Sequence, residues 1–330
     1  MKEAEAGKQI LELATGLVKD ELDLVEDEIR KRFRSKVPLI RNVASYLLEG
    51  GGKRIRPALH LLSFRLCNGK GNRAIPVAAA LEFLHNATLL HDDVVDGADL
   101  RRGKQAANLR YGNQQSVLTG DFLVTRVFGI LVEDGDLDLL SLIADITARM
   151  AEGEALELSL TSSDVPDEKH YLEVISEKTA VLFAASCEAA AILAGVKEAR
   201  KPLWEYGMGF GMAFQLVDDL LDYLGTKDML GKPVGGDLAE GKLTLPLLLA
   251  FKKSGNEAKA LLDRMVFGEI REDDITLAAN LIKNTGAHEI TLRRAKDYSR
   301  KAIESIATLP ASRERTALKD LARFCTDRNF

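Results

Sequence analysis

Cysteine is scarce in this chain, and its few cysteines form no pattern. The 330 residues include three cysteines, Cys67, Cys187 and Cys325, which lie far apart in the sequence. An odd number of scattered cysteines does not suggest a disulfide framework, and no Cys/His cluster has the spacing of a zinc site. We therefore expect reduced thiols and a cytoplasmic location.

Long apolar runs and a strong excess of charge are also absent. No segment approaches the roughly 18 apolar residues of a membrane span, and the acidic, amphipathic N-terminus does not resemble a signal peptide. The net charge is −5, a modest value to which two acidic clusters contribute heavily. These features argue against stable membrane insertion and against a general nucleic-acid-binding protein.

Alternating, strand-like patterns of useful length are missing, whereas helical periodicity recurs along the chain. Ile10, Leu13 and Leu17 are an example of apolar residues spaced by three and four. Prolines such as Pro57 and Pro202 stand where helices are expected to begin. No Pro-, Ser- or charge-rich linker divides the sequence, so we predict an all-α protein with one domain of about a dozen helices.

An acidic cluster lies at the end of an apolar stretch, in the segment LHNATLLHDDVVDGADLRRG (84–103). In a helix, Asp92 and Asp96 share one face and Asp93 points about a quarter-turn away. Like charges at this spacing destabilise a helix by roughly 0.2–0.5 kcal/mol. A divalent cation would relieve the repulsion, and Mg²⁺ typically binds one or two carboxylates together with waters and phosphate oxygens.

The same DDxxD pattern returns in FQLVDDLLDY (214–223), where Asp218 and Asp222 again lie four residues apart. Both clusters follow apolar helical runs that should be buried, so the two can face each other across a cavity. A single motif of this kind could be a solvated acidic helix end. Two of them predict a site for several Mg²⁺ ions and a diphosphate, with Asp92, Asp96, Asp218 and Asp222 as metal ligands.

Basic and polar side chains that could bind phosphate occur at several points in the chain. In GGGKRIRP (50–57), glycines let backbone N–H groups approach an anion, and guanidinium groups bind phosphate oxygens in a bidentate manner. A basic loop of this kind can equally be solvated, and a lone histidine such as His85 can equally be a core residue. The candidates are Lys53, Arg56, His85, Arg101, Arg102, Lys178, Thr179, Gln215, Lys232 and Lys242.

Five segments resemble, in their order and spacing, the motifs of the trans-prenyltransferases, the isoprenyl diphosphate synthases. They are GGGKRIRP, EFLHNATLLHDDVVDGADLRRG, SEKTA, FQLVDDLLDY and LGKPVGGDLAEGKLTLPLL, and they cover roughly residues 40 to 250. The resemblance implies mostly antiparallel helices around a central cavity and a homodimer. It also implies head-to-tail condensation of an allylic diphosphate with isopentenyl diphosphate, with three Mg²⁺ ions around the bound diphosphate.

The resemblance also implies roles for individual side chains. The DDxxD aspartates would hold Mg²⁺, and Lys178, Lys232 and Arg101 would supply fixed positive charge where negative charge develops. Thr179 and Gln215 would position the allylic substrate. Isopentenyl diphosphate would be bound without metal by Lys53, Arg56, His85 and Arg102, and Lys242 would be a further substrate-binding residue.

Product length is predicted from the residue five positions before the first DDxxD motif. Short-chain members tend to carry an aromatic residue there, whereas this chain has Ala87, so we expect a product longer than farnesyl or geranylgeranyl diphosphate. Phe128, Leu131, Val132 or Ile143 could close the tunnel, although core packing explains all four equally well. The HDDVVD and RRG segments resemble synthases that make quinone side chains, which favours octaprenyl within a range from hexaprenyl to nonaprenyl.

Two alternatives belong to other functional classes. A class I terpene cyclase would share the fold and an Asp-rich Mg²⁺ site but would not need a second diphosphate pocket such as GGGKRIRP. A non-catalytic subunit of a heteromeric prenyl synthase would be expected to lose one DDxxD motif or the lysines, and this chain retains all of them.

Overall fold

The structure, a computed structural model, describes residues 10–49, 51–101, 103–160, 167–225, 234–266, 268 and 270–327. Two predicted substrate-binding residues, Arg102 and Lys232, lie outside the described residues. Helices dominate the described chain, which confirms the predicted all-α class.

A helical stretch at residues 10–16 precedes the first labelled helix. The α-helices are, in order, α1 Lys19–Arg32, α2 Pro38–Glu49, α3 Ile55–Leu66, α4 Ala74–Val95, α5 Ala107–Tyr111, α6 Asn113–Asp134, α7 Leu137–Leu160, α8 Glu168–Ile175, α9 Val181–Ala194, α10 Lys197–Leu224, α11 Gly236–Ala239, α12 Leu245–Phe251, α13 Asn256–Val266, α14 Glu272–Asn284, α15 Ala287–Ser305 and α16 Arg313–Thr326. A π-helical segment, Ser176–Ala180, joins α8 to α9. Two antiparallel two-residue strands, β1 Leu100–Arg101 and β2 Lys104–Gln105, form a small hairpin after α4.

Helix α9 lies at the centre of the packing. Its sequence, VLFAASCEAAAILA, is apolar on every side, and nearly all of its side chains are buried against α10, α3 and α7. Small residues allow the close approach that the Ala-rich sequence predicts, because a Cβ on Gly207 of α10 would lie 2.5 Å from Ala184 Cα. A helix that is apolar all round is typical of the core of a large helical protein.

Helix α10 contributes to two hydrophobic clusters. Its first half, including Tyr206 and Phe210, packs in a cluster with α3, α4, α6, α7 and α9. Its second half, including Leu216 and Leu220, packs in another with α8, α12 and α14. The acidic motif therefore lies on a helix that is packed against its neighbours along its whole length.

Pro202 does not begin a helix, contrary to the sequence-based expectation. Helix α10 begins at Lys197, so Pro202 is its sixth residue. A proline there removes the hydrogen bond to the carbonyl of Glu198, a cost that the buried packing of this long helix outweighs.

Helix α6 is, within the described part of the chain, the one helix long and apolar enough to cross a membrane. Asp121 and Arg126 interrupt it, and 39% of its most apolar 18-residue window is buried inside the protein. Several of its apolar side chains are exposed, among them Leu118 (58%) and Val132 (68%).

Candidate active site

The first acidic motif lies at the C-terminal end of α4. Asp92 is in the last turn, and Asp96 is the C-cap residue, whose N–H donates to the Asp92 carbonyl at 2.8 Å. Asp93 points elsewhere, as its helical position predicts: its side chain is 1% exposed and accepts a hydrogen bond of 2.8 Å from Arg101 Nε. Arg101, expected to bind phosphate, is thus paired with Asp93 in this structure.

Asp96 has a cationic partner from a distant part of the chain. Lys242 Nζ lies 2.7 Å from Asp96 Oδ2 and 2.9 Å from Glu240 Oε2. Although burial disfavours the Lys242 ammonium, nearby carboxylates, led by Glu157, raise its pKa. Lys242 therefore remains charged and connects α4 to the segment that follows α11.

Asp92 lacks comparable compensation. Burial raises the pKa of Asp92 to about 7; the neighbouring carboxylates of Glu154 and Asp96 add to the rise, and Lys178 and Arg101 oppose it. A carboxylate of this kind is only partly ionised at neutral pH and gains from a nearby cation. Its oxygen ligands, with those of Asp96, suit Mg²⁺.

The three carboxylates of the second acidic motif have different environments. Asp219 is buried and accepts hydrogen bonds from the Tyr171 hydroxyl and, at 2.6 Å, from Gln215 Nε2. Burial raises the pKa of Asp219. Asp222 is 1% exposed and accepts the Asp237 N–H at 2.9 Å, so it fixes the turn that starts α11. Asp218 is the half-buried member of the motif.

Gln215 bridges the π-helical segment and the second acidic motif. Its amide Nε2 donates to Asp219 Oδ1 at 2.6 Å, and its amide oxygen accepts a hydrogen bond of 3.1 Å from Thr179 Oγ1. Gln215 and Asp219 lie four residues apart on α10 and are therefore neighbours on the helix surface. Thr179, Gln215 and Asp219 therefore form one hydrogen-bonded chain.

A cavity of about 170 Å³ brings these groups together. Its walls come from α7, α8, the π-helical segment, α10 and the chain around α11. Polar side chains at its lining are Glu157, Tyr171, Lys178, Thr179, Gln215, Asp219, Asp237, Lys242 and Thr244. Asp219 of the second acidic motif lines this cavity, and the first motif lies beside it, because Lys242 and Lys178 of the lining interact with Asp96 and Asp92 respectively.

The protein side chains alone do not form a closed metal cage. Among the described residues, no three His, Cys, Asp or Glu side chains are grouped closely enough to hold an ion. Mg²⁺ usually keeps several waters and completes its coordination with substrate phosphate oxygens. The separated carboxylates therefore fit an ion that binds together with a diphosphate.

The π-helical segment presents Lys178 and Thr179 to the cavity. Two glycines allow this: a Cβ on Gly153 would lie 2.9 Å from Lys178 N, and one on Gly211 would lie 2.5 Å from Ala180 Cα. π-Bulges are frequent at functional sites, because the extra residue changes where side chains point. Helical periodicity predicted an inward lysine here but gave no sign of the bulge.

Arg149 supports the π-helical segment through an ion pair with Glu177. Arg149 of α7 donates to the two carboxylate oxygens of Glu177, at 2.6 and 2.9 Å. The Arg149 guanidinium carbon also lies 5.5 Å from the centre of the Trp204 ring, a cation–π distance. Lys178 thus follows a residue that is held by a bidentate ion pair.

Glu154 and Glu157, two carboxylates of α7, were missed by the sequence analysis. Lys178 Nζ lies 2.6 Å from Glu154 Oε2 and forms a second ion pair with Glu157. Their spacing of three residues in EGEALEL places them on one helix face, which was the available signal. No local pattern indicated that the face meets Lys178.

The glycine-rich basic loop is held by an arginine that the sequence analysis did not select. Arg54, in the left-handed region (φ 46°), caps the start of α3 and pairs with Glu26 of α1 and, at 2.9 Å, with Glu82 of α4. The neighbouring Lys53 is exposed, and the guanidinium carbon of Arg56 lies 4.2 Å from the Phe183 ring centre. His85 is half-buried on α4.

The chain-length candidates divide between the interior and the surface. Ala87, Leu131 and Ile143 are each 1% exposed and belong to the first hydrophobic cluster, and Phe128 packs against it. Val132 is 68% exposed, so the structure does not support it as a tunnel stop. Val132 is exposed although Leu131 is buried, because successive residues of an α-helix are rotated by about 100°, which places Val132 on the outer side of α6.

Known proteins match this chain over almost its whole length. The polyprenyl synthetase family model matches residues 37–282. An octaprenyl diphosphate synthase of Haemophilus influenzae is 41% identical, with 95% of this chain and 96% of the relative covered. An all-trans-nonaprenyl-diphosphate synthase (geranyl-diphosphate specific) of Rhodobacter capsulatus is also 41% identical, over 91% of this chain and 92% of that protein.

Solved structures give the same result. The crystal structure of a polyprenyl synthase from Caulobacter crescentus, in complex with calcium and isoprenyl diphosphate, superposes with a TM-score of 0.93. It is 43% identical in sequence and covers 96% of this chain and 98% of its own. With the two acidic motifs at one helical cavity and these matches along the chain, the protein belongs to the polyprenyl synthetase family and is a trans-prenyltransferase, a trans-isoprenyl diphosphate synthase.

Proposed function

We propose that this enzyme adds isopentenyl diphosphate units, in a Mg²⁺-dependent head-to-tail reaction, to farnesyl or geranyl diphosphate. The product would be a long-chain all-trans polyprenyl diphosphate, with octaprenyl diphosphate as the expected length. It would serve as the precursor of quinone side chains, and the enzyme would act in the cytoplasm. The observation that carries the proposal is a cavity lined by Lys178, Lys242 and Asp219 of the second acidic motif, with Asp92 and Asp96 of the first motif interacting with its two lysines.

The predicted site residues have the following tasks in the condensation. Asp92, Asp96, Asp218 and Asp222 would hold Mg²⁺, and Asp222 also supports the start of α11. Bound there, Mg²⁺ would neutralise the leaving diphosphate as a Lewis acid. Lys178, Lys232 and Arg101 would add fixed positive charge, which stabilises the negative charge that develops as the allylic C–O bond breaks, and Lys242 would bind substrate.

The remaining polar groups orient the two substrates. Thr179 and Gln215, joined by a hydrogen bond, would position the allylic diphosphate. Lys53, Arg56, His85 and Arg102 would hold isopentenyl diphosphate so that its double bond attacks the allylic carbon. The new bond leaves a tertiary cation, which loses a proton to the departing diphosphate. Buried walls around the cavity would keep water from the cation.

Product length would be set by the space along α4 below the first acidic motif. Ala87 leaves room there, and the buried Leu131 and Ile143 would end the tunnel. The two relatives named above make products of different length by their names, so similarity alone does not choose between octaprenyl and its neighbours.

We also propose a homodimer, formed through the outer face of α6. Val117, Leu118 and Val132 expose 37%, 58% and 68% of their surfaces on this helix. Exposed apolar residues concentrated on one long helix are typical of an interface between subunits. Light scattering of the purified chain should give about twice the 36.2 kDa mass of one chain.

The reaction is tested by incubating the purified chain with farnesyl diphosphate, excess isopentenyl diphosphate and Mg²⁺, with and without EDTA. Mass spectrometry should detect a ladder of products that stops near eight isoprene units and is absent with EDTA. A hydrocarbon or alcohol formed without elongation would indicate a terpene cyclase instead. No turnover until a second protein is added would indicate the non-catalytic subunit of a heteromer.

A further inference from the structure

Lys178 is surrounded by carboxylates in the structure. Its ammonium forms ion pairs with Glu154, at 2.6 Å, and with Glu157, and Asp92 acts on it electrostatically. The Lys178 side chain is only 20% exposed, so these interactions are little screened by solvent. Three carboxylates therefore interact with the Lys178 ammonium, which in the proposed function binds the diphosphate.

Lys242 is in a similar position. It pairs with Asp96 and Glu240, its side chain is 18% exposed, and Glu157 is the carboxylate with the largest electrostatic effect on it. Glu157 thus acts on both lysines and lines the same cavity as they do. It is the acidic group common to the two cations.

Glu154 and Glu157 have no task in the condensation as proposed above. They stand on one face of α7, at a site that must accept a highly charged anion, and would repel it. Glu154 Oε1 is, in addition, buried without a hydrogen-bond partner. Burying two carboxylates partly at a site that binds an anion costs free energy, so a role for their charge is expected.

We infer that Glu154 and Glu157 are positioning residues that neutralise Lys178, and that Glu157 also acts on Lys242, until a diphosphate takes the place of these carboxylates. The inference rests on the proposed function. Each lysine then exchanges one anionic partner for another, so the net gain on binding diphosphate is smaller than the gain for an uncompensated lysine. The glutamates lower the affinity of the site for diphosphate.

A repeating synthase benefits from this reduced affinity. Every condensation breaks one allylic C–O bond and releases one inorganic diphosphate, which must leave before the next elongation at the same site. The return of Lys178 to Glu154 and Glu157 favours that release. The glutamates would therefore reduce product inhibition while the lysines still supply positive charge when the C–O bond breaks.

The test measures binding of inorganic diphosphate with Mg²⁺ by calorimetry. Glu157→Gln keeps the size of the side chain and removes its charge, so the dissociation constant should fall about five- to tenfold. Glu154→Gln should act in the same direction, and Glu157→Asp should stay near the wild-type value. Glu152→Gln, an exposed position on the same helix, is the matched control and should change nothing.

Steady-state kinetics supply a second readout that a purely structural role would not move. In Glu157→Gln, the inhibition constant of diphosphate and KM for the allylic substrate should fall together, with kcat unchanged or lower. Unchanged or weaker binding of diphosphate in both glutamine variants would overturn the inference while leaving the synthase assignment intact. A wild-type protein that neither binds diphosphate nor elongates farnesyl diphosphate would overturn the proposed function itself.

Discussion

At the scale of single residues, adjacent aspartates of one motif have opposite environments. Asp92 lies near the carboxylates of Glu154 and Asp96, whereas Asp93 is ion-paired to Arg101, although burial raises the pKa of both. The same side-chain type, one position apart on α4, therefore contributes either to the site or to stability. The helical rotation between them decides which.

Exchanging each of these aspartates for asparagine should separate the two contributions. Asp92→Asn should lower kcat/KM by about a hundredfold or more, because a metal ligand is lost, and should leave the melting temperature unchanged or higher. Asp93→Asn should instead destabilise the fold by about 1–2 kcal/mol, because Arg101 loses its buried partner. Steady-state assays and thermal melts of both variants measure this; near-wild-type turnover of Asp92→Asn in saturating Mg²⁺ would refute the metal assignment.

A larger side chain at position 87 should shorten the product. Ala87 is 1% exposed and lies just over one turn before Asp92, so a phenol ring there would occupy the space into which the chain grows. Ala87→Tyr should shift the product distribution towards shorter chains, and Ala87→Val should shift it less. Mass spectrometry of the products gives the lengths. Active variants with unchanged product length would show that Ala87 does not line the tunnel.

At the scale of single elements, the π-helical segment depends on glycines in its neighbours. A Cβ at Gly211 of α10 would meet Ala180 Cα at 2.5 Å and Ala180 Cβ at 2.9 Å. Backbone atoms cannot move aside as a flexible side chain can. The positions of Lys178 and Thr179 therefore depend on the glycines, Gly153 and Gly211, of the helices that flank the π-helical segment.

Gly211→Ala should reduce both stability and turnover. We expect a loss of about 1–3 kcal/mol from overpacking, with a fall in kcat as the π-helical segment shifts. Gly129→Ala is the matched control, because that glycine lies in α6 with no atom within 4 Å of an added Cβ. The control should be stabilised by about 0.5–1 kcal/mol, the usual gain for alanine in a helix. Equal effects of the two substitutions would contradict the packing argument.

Sequence patterns predicted the elements better than the contacts between them. The DDxxD motifs and the basic loop are contiguous, so their spacing alone placed Asp92 and Asp96 on one helix face. The partners of Lys178 come from α7 and the partner of Asp96 from beyond α11, and such pairings depend on tertiary packing. Pro202 within α10 and the π-helical insertion show the same limit, because tertiary contacts outweighed local preference at both positions.

At the scale of the whole molecule, α10 joins the two hydrophobic clusters through one continuous helix. Neither cluster can unfold without exposing part of that helix. This supports the proposal that the chain forms a single domain. The buried His60 lies on α3 between Leu59 and Leu61, which belong to the first cluster.

His60 makes a pH-dependent contribution to the free energy of unfolding. Burial lowers the pKa of His60 to about 4, although its ring contacts the Ser186 carbonyl at 2.8 Å. The unfolded chain therefore binds more protons at this residue between pH 6.5 and pH 4, and this contribution, about 3 kcal/mol, is lost as pH falls through that window. The raised pKa values of Asp92 and Asp219 act in the opposite direction, so a His60 variant is needed to measure this contribution. Calorimetry of the wild type should give one peak at pH 7 and one at pH 5.

The corresponding variant isolates the contribution of His60. His60→Gln retains a polar group near Ser186 and cannot titrate, so the melting temperature of the wild type should fall relative to that of this variant between pH 7 and pH 5. An identical dependence would assign acid sensitivity to other groups. Two resolved peaks in the wild type would instead show that the clusters unfold as separate domains.

The contact between Arg149 and the ring at position 204 has a practical consequence. Trp204 is the only tryptophan of the chain, and Arg149 connects it to Glu177, the residue before Lys178. Indole emission responds to a nearby charge, so movement of the π-helical segment would alter the fluorescence of this one chromophore. The protein thus carries an optical probe of its own, through which ligand binding could be followed in real time without an added label.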